Sequence, residues 1–326
     1  MTQGIGRKSP SSVADLSEEF GKISILRNPP PSFSLETALS EEISKLKYDD
    51  RLKIDEEMHG VACRAAKETD ELIDLSLALF DQSLNNIKET SNPSLNVLRN
   101  VIRMWPTPVV KKGPKAAEQL NCYLNNRNIR LRFLRCELFN VEKAVQRFID
   151  FLEFMSELFG DFVAERPVKY TDFNKKEESY LLQSRVQYLA FRDRSGRRVM
   201  TAVGNCNFHI ESLVTRYKIM MYLHWVVSED IETQIKGVVV VTWLHTNSEK
   251  TWDTKIRSNF NSKMPEYHEK HNKSMPVRVV SWHQFYDDTP YARIRASLYV
   301  FSTLRSPYRS VFKIHFGKSR SKVGKR

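Results

Sequence analysis

His268-Glu269-Lys270-His271 sets two imidazoles three residues apart, close enough to share one face of a helix and begin a metal site. A zinc site needs a third ligand at a recognised spacing. None follows, and the HExxH pattern of zinc hydrolases is absent, so these two histidines are expected at the surface. Asp287-Asp288 pairs two carboxylates, but adjacent side chains do not generally face one another, and a turn leading into a helix explains them without acid or base chemistry. The sequence contains no GxxxxGK[ST] phosphate loop, no GxGxxG after a strand and no GxSxG elbow. Cys63, Cys122, Cys136 and Cys206 stand singly with no C-x-x-C pair, which argues against a zinc knuckle or redox motif and fits a reducing compartment. The expectation is a non-enzymatic protein without cofactor or metal.

Arginine is the remaining chemistry. RLRFLRCELFNVEKAVQRFIDFLEF, residues 130–154, places Arg130, Arg132 and Arg135 among leucines before a break at Phe139-Asn140. Leu131, Leu134, Leu138, Val141, Val145, Phe148 and Leu152 alternate steps of three and four, the period of a buried helical stripe. Asn140 is a good N-cap with Glu142 in the first turn, so two helices are expected, the arginines lying near the C-terminus of the first, where cations are favourable.

Lys+Arg 51 against Asp+Glu 39 gives a net charge of +12, which favours anionic partners, nucleic acid or an acidic membrane surface. The segment from Arg305 onward carries eight basic residues and no Asp or Glu. The first twenty residues lack the apolar region of a secretory signal, and no uncharged run approaches the span of a bilayer. At 326 residues the chain can bury a large core without disulfides or metal.

Residues 1–35, with Pro29-Pro30-Pro31, read as a mobile arm, and 36–165 as a helical region. Within it Ser40 is expected to cap a helix whose apolar stripe begins Ile43, Leu46 and Leu52. Glu68-Thr69-Asp70-Glu71 opens the next helix, and Trp105–Pro114 forms a connector. From 166 to 318 the pattern alternates. Gln187–Phe191 and Arg198–Val203 form a hairpin around RDRSG, a helix covers 210–227, and Gly237–Trp243 is a strand buried on both faces. A helix with loops spans 245–274, Val277–Trp282 is the next strand, a helix runs from about Pro290 to Leu304, and Val311–Phe316 is the last strand. Residues 319–326 are a basic tail. The fold class is α/β, a helical N-terminal region followed by a mixed β-sheet covered by helices.

LNNRNIRLRFLRCELFNVEKAVQRF, VQYLAFRDRSGRRVM, Tyr217-Lys218, GVVVVTW, PVRVVSWHQFYDD and VFKIHFGKS, taken in order over about residues 116–318, resemble the CRAL-TRIO family of lipid-binding proteins. The resemblance implies a pocket above the sheet, closed by a movable helix, that takes one hydrophobic lipid or phospholipid from a membrane. FYDDTPYARIRASLYVFSTL, Phe285 to Leu304, stands at the position of that gate helix. The pocket is expected to be lined by Val238, Val240, Trp243, Val279, Trp282, Ile294, Leu298, Phe301, Phe312 and Ile314. Head groups or membrane phosphates would meet Arg192, Arg194, Arg197, Arg198, Arg278, Arg293 and Arg295. Two departures stand out: Trp243 leads into Leu244-His245-Thr246 where many members have an acidic residue and glycine, and the chain ends soon after the last strand. The implied protein is a cytoplasmic, peripherally membrane-associated monomer whose partners are the lipid and an anionic membrane surface. A ligand-free adaptor on the same scaffold is the alternative. Nonspecific nucleic-acid binding, suggested by Tyr291, Tyr299 and Tyr308 among arginines, ranks below both because no recognition motif accompanies it, and no specific nucleic acid is expected.

Overall fold

The computed structural model of the chain describes residues 35–88, 123–184, 186–203, 212–244, 254–289, 292–293, 296–297, 299–300 and 308–317. All but Leu35 of the expected N-terminal arm, the connector Trp105–Pro114 and the basic tail lie outside them. The architecture is mixed α/β, helices first and then a sheet interleaved with helices. The helices are α1 (Leu35–Ser44), α2 (Tyr48–Met58), α3 (Asp70–Lys88), α4 (Arg127–Cys136), α5 (Val141–Phe159), α6 (Lys175–Leu182), α7 (Leu213–Val227), α8 (Ile231–Lys236) and α9 (Thr254–Ser274). The strands are β1 (Val186–Arg192), β2 (Arg198–Val203), β3 (Val238–Leu244), β4 (Val279–Asp287) and β5 (Phe312–Gly317).

The break between α4 and α5 falls where Asn140 stands: its side chain accepts the Lys143 amide at 3.0 Å, and Leu138 and Phe139 take left-handed backbone angles to turn the chain. Phe148 of α5 then meets Phe80 of α3 and Phe133 of α4 edge to face, and Phe151 stacks on Trp225 of α7. The arginines of α4 serve this packing more than a helix dipole. Arg130 pairs with Asp81, Arg135 with Glu68, and Arg132 lies 4.3 Å over the Trp225 ring while donating to Ser228 Oγ. At the N-terminal end two expectations fail: α1 already runs through Ser40, so that residue caps nothing, and Ile43 and Leu52 are exposed.

The sheet order is β1-β2-β3-β4-β5, with β1 antiparallel to β2 and every other pairing parallel. The expected hairpin is present, its turn closed by Asp193, whose carboxylate accepts the Ser195 and Arg197 amides. β3 lies at the centre, as its unbroken β-branched run requires. β4 runs from Val279 to Asp287, where Val277–Trp282 is expected, so Phe285 to Asp287, the start of the segment that the resemblance sets at the gate helix, lie in the sheet. Phe285 and Tyr286 pair with β3 on one side and β5 on the other (Phe285 with Trp243 and His315), Asp287 pairs with Gly317 of β5, and two ladders outweigh helical periodicity. Thr289 stands one residue before the expected helix start at about Pro290, and its Oγ1 accepts the Ala292 amide at 3.1 Å.

Gly237 joins α8 to β3 at φ +75°, and a Cβ there would stand 2.7 Å from the Arg278 carbonyl oxygen and 2.6 Å from Val280 Cγ1. Gly237→Ala is expected to cost about 3 kcal/mol through strain and overlap at the sheet's central strand. A denaturant midpoint unchanged from the parent would contradict this account of the β3–β4 junction.

Candidate functional site

Strand alternation and the registers divide the sheet into two faces. On the first, Val238 and Val240 stand with Met200, Trp282, Phe312 and Ile314, and Val279, at a register shift, joins the same buried cluster. Six of the expected lining residues are thereby brought together, five of them buried and Ile314 at the margin. Trp243 is not among them. It points to the opposite face, stacked on Phe285, which in turn stacks on His315, because residues 240 and 243 differ by an odd step along a strand. Ile294, Leu298, Phe301 and Arg295 lie outside the described residues.

A helical segment covers the first face, with Ala292, Ala296 and Val300 fully buried at steps of four. Small side chains let its backbone come close to the sheet. Tyr299 lies 6.1 Å from Phe312 between ring centroids, and Trp282 meets Phe312 edge to face at 5.6 Å. Arg293, at the exposed edge, pairs with Asp288 and lies over Phe316.

A polar network lies buried beside this apolar face. Tyr188 Oη is 2.6 Å from His224 Nδ1, His224 Nε2 is 3.1 Å from His271 Nε2, and His271 Nδ1 is 3.4 Å from Asn272 Oδ1. The Asn272 oxygen only accepts, so one proton order satisfies the run: His271 donates to Asn272, His224 donates to His271, and Tyr188 donates to His224. His268 sits between two phenols, Tyr217 at 3.5 Å from Nδ1 and Tyr299 at 3.3 Å from Nε2. Burial holds His224 and His268 down at about 3 and lowers His271 well below its ordinary value, so all three are neutral. The surface placement expected for His268 and His271 is wrong. Both are buried, because α9 turns their side toward α7 and the sheet. The signal was the stripe Met264, Tyr267, His271, with Met275 just beyond the helix, which the polar composition of this segment conceals.

The expected phosphate-binding arginines are mostly engaged inside the protein. Arg192 pairs with Asp230 and Glu232, Arg197 with Asp193 and the Glu57 carbonyl, and Arg198 donates to the Leu189 and Ala190 carbonyls at the β1 bulge. Arg278 binds Glu57 and the Ile235 carbonyl. Arg194 is exposed. Arg278 also lines a cleft of about 380 Å³ beside α2 and the α4–α5 break, with Asp50, Glu57, Arg64, Glu137, Lys143 and Arg147. Arg147 pairs there with Glu137, and burial lifts the Cys136 thiol in the same wall to about 11, so it is unreactive. On the second sheet face Ser281 Oγ, His283 and His315 follow one another at 2.8 and 2.9 Å, the order of a nucleophile, base and orienting group. Ser281 is fully buried, so no carbonyl reaches its hydroxyl.

No family model matches the chain, and no curated protein matches it. Among the described residues no helix is long and apolar enough to cross a membrane, and no group of three or more His, Cys, Asp or Glu is arranged to hold a metal ion.

The three histidines give a pH signature. Their folded values lie below the ordinary 6.5, so above that pH neither state is protonated, and below it the unfolded chain takes up protons that the folded one refuses, His224 and His268 until about pH 3. Their contribution is present above about pH 6.5 and lost on acidification, each histidine costing about 1.4 kcal/mol per pH unit over that window. His224→Gln should remove one proton from the slope of unfolding free energy against pH between 6 and 5, measured by urea titration. An unaltered slope would contradict a neutral, buried His224.

Proposed function

We propose that the chain binds a single hydrophobic lipid on the first sheet face, beneath the helix bearing Ala292, Ala296 and Val300, and exchanges it with membrane surfaces. The observation that carries this reading is the adjoining of two environments under one covering helix: an apolar floor of Val238, Val240, Trp282 and Phe312, and a buried hydrogen-bonding network at His268. That pair suits a molecule with a long apolar body and a small polar end. Among the described residues, Tyr299 to His268 and Arg293 to Asp288 tie the helix to its surroundings, and neither is a contact of the sheet ladder. The ordered resemblance to CRAL-TRIO proteins supports the same reading, and the exposed Arg194 and half-exposed Arg293 are suited to an anionic surface.

A second reading, a scaffold that carries no ligand, is favoured by the close ring contacts of Trp282, Phe312 and Tyr299 under the helix. The two part in one experiment. Full-length protein incubated with mixed-lipid vesicles and re-isolated should carry one amphiphile per chain by native mass spectrometry and should remove fluorescent lipid from donor vesicles. Protein that emerges bare and extracts nothing is the scaffold.

A further inference from the structure

We infer that the cleft of about 380 Å³ between α2, the α4–α5 break and the start of β4 binds a small organic carboxylate, an acid with one negative charge on a compact apolar body. The inference stands apart from the lipid-binding reading. Of the residues expected to line a lipid pocket, Val279 alone borders this cleft. Its volume lies at the small end of the range for ligand sites, and Leu46, Ile54, Leu138, Val279 and Val311 give it an apolar wall.

The charge around it comes from segments far apart in sequence. Arg64, Lys143, Arg147 and Arg278 face the space, and so do Asp50, Glu57 and Glu137. Two pairs cancel: Arg278 binds Glu57, and Arg147 binds Glu137 while donating to the Asn272 carbonyl at 3.0 Å. Glu57 spends its other oxygen on the Arg64 amide at 2.9 Å, which seats Arg64 beside the Arg278–Glu57 pair. Burial pushes the Cys136 thiol up to about 11 and raises the Tyr308 phenol, so both add no charge to the wall.

Three charges remain. Asp50 lies in the first turn of α2, where the amides of the helix start favour a carboxylate. Lys143 stands in the first turn of α5, where the same dipole opposes a cation. Arg64 and Lys143 are exposed, and among the described residues neither side chain has an ion pair. The cleft thus holds one positive charge in excess, with two uncommitted cations at its rim. A single carboxylate matches that balance, and a guanidinium can take both of its oxygens. A dianion would meet the field of three carboxylates with the same two cations to offset it.

Benzoate, benzamide and phenyl phosphate share one ring and differ in charge, so saturation-transfer NMR titrations of the full-length protein near neutral pH test the inference. Benzoate should bind, benzamide about tenfold more weakly for want of a charge, and phenyl phosphate more weakly than benzoate. Palmitate should not compete with benzoate. Arg64→Gln and Lys143→Gln should each weaken benzoate about threefold, and Asp50→Asn should strengthen it by a similar factor. All three positions are exposed, so the fold should survive the changes. Arg194→Gln, at an exposed arginine that does not line the cleft, should change nothing. Failure of benzoate to bind, equal binding of benzamide, tighter binding of phenyl phosphate, competition by palmitate, or an affinity indifferent to Arg64, Lys143 and Asp50 each overturns the inference.

Discussion

Three imidazoles lie where α7 and α9 meet the sheet, and each needs partners supplied by the protein because apolar side chains surround them. That requirement ties together elements that hydrophobic contact alone would let slide. Tyr188 anchors the edge strand to α7 through His224, His224 joins α7 to α9 through His271, and His268 joins α9 to the covering helix through Tyr299. An apolar contact tolerates displacement by fractions of an ångström, whereas a run of hydrogen bonds with one proton order does not. The relative placement of sheet, helices and cover follows from satisfying that run.

Arginine has a comparable role on the outside of the sheet. The surplus of positive charge suggests an anionic partner, yet many arginines are spent in joining segments distant in sequence. Arg278 and Arg197 both reach Glu57 at the end of α2, which is how the N-terminal helices are held to the strands. Arg132 and Arg135 fix α4 to the α7–α8 junction. A guanidinium presents five donors in a rigid plane, so one side chain can bind a carboxylate and a carbonyl from different elements at once. Net charge therefore overstates the surface available to phosphate.

The covering helix combines a close fit with polar ties. Alanines at 292 and 296 bring it against the rings of the sheet, and among its described residues the polar ties include Thr289 at its start, Arg293 to Asp288 and Tyr299 to His268. Burial of small side chains contributes less than burial of large ones, since the apolar area removed from water is smaller.

The sequence by itself determined the element types: the capped break at Asn140, the hairpin around Ser195-Gly196, the central strand, expected over Gly237–Trp243 and observed over Val238–Leu244, and the order of helices and strands after it. Each is a local matter, set by side-chain period, cap chemistry or a turn, and local preferences can be read from neighbours along the chain. Of the residues it marked as pocket lining, Val238, Val240, Val279, Trp282 and Phe312 share one buried cluster. Only the tertiary structure decided that Trp243 belongs to the other face, that Phe285 to Asp287 pair in β4, and that His268 and His271 lie inside. Those outcomes depend on what stands opposite in space: two strands that claim a segment, the pleat that sends alternate residues apart, and helices whose partners can satisfy an imidazole. A residue's type states which bonds it can make, and the fold alone states which of them it finds.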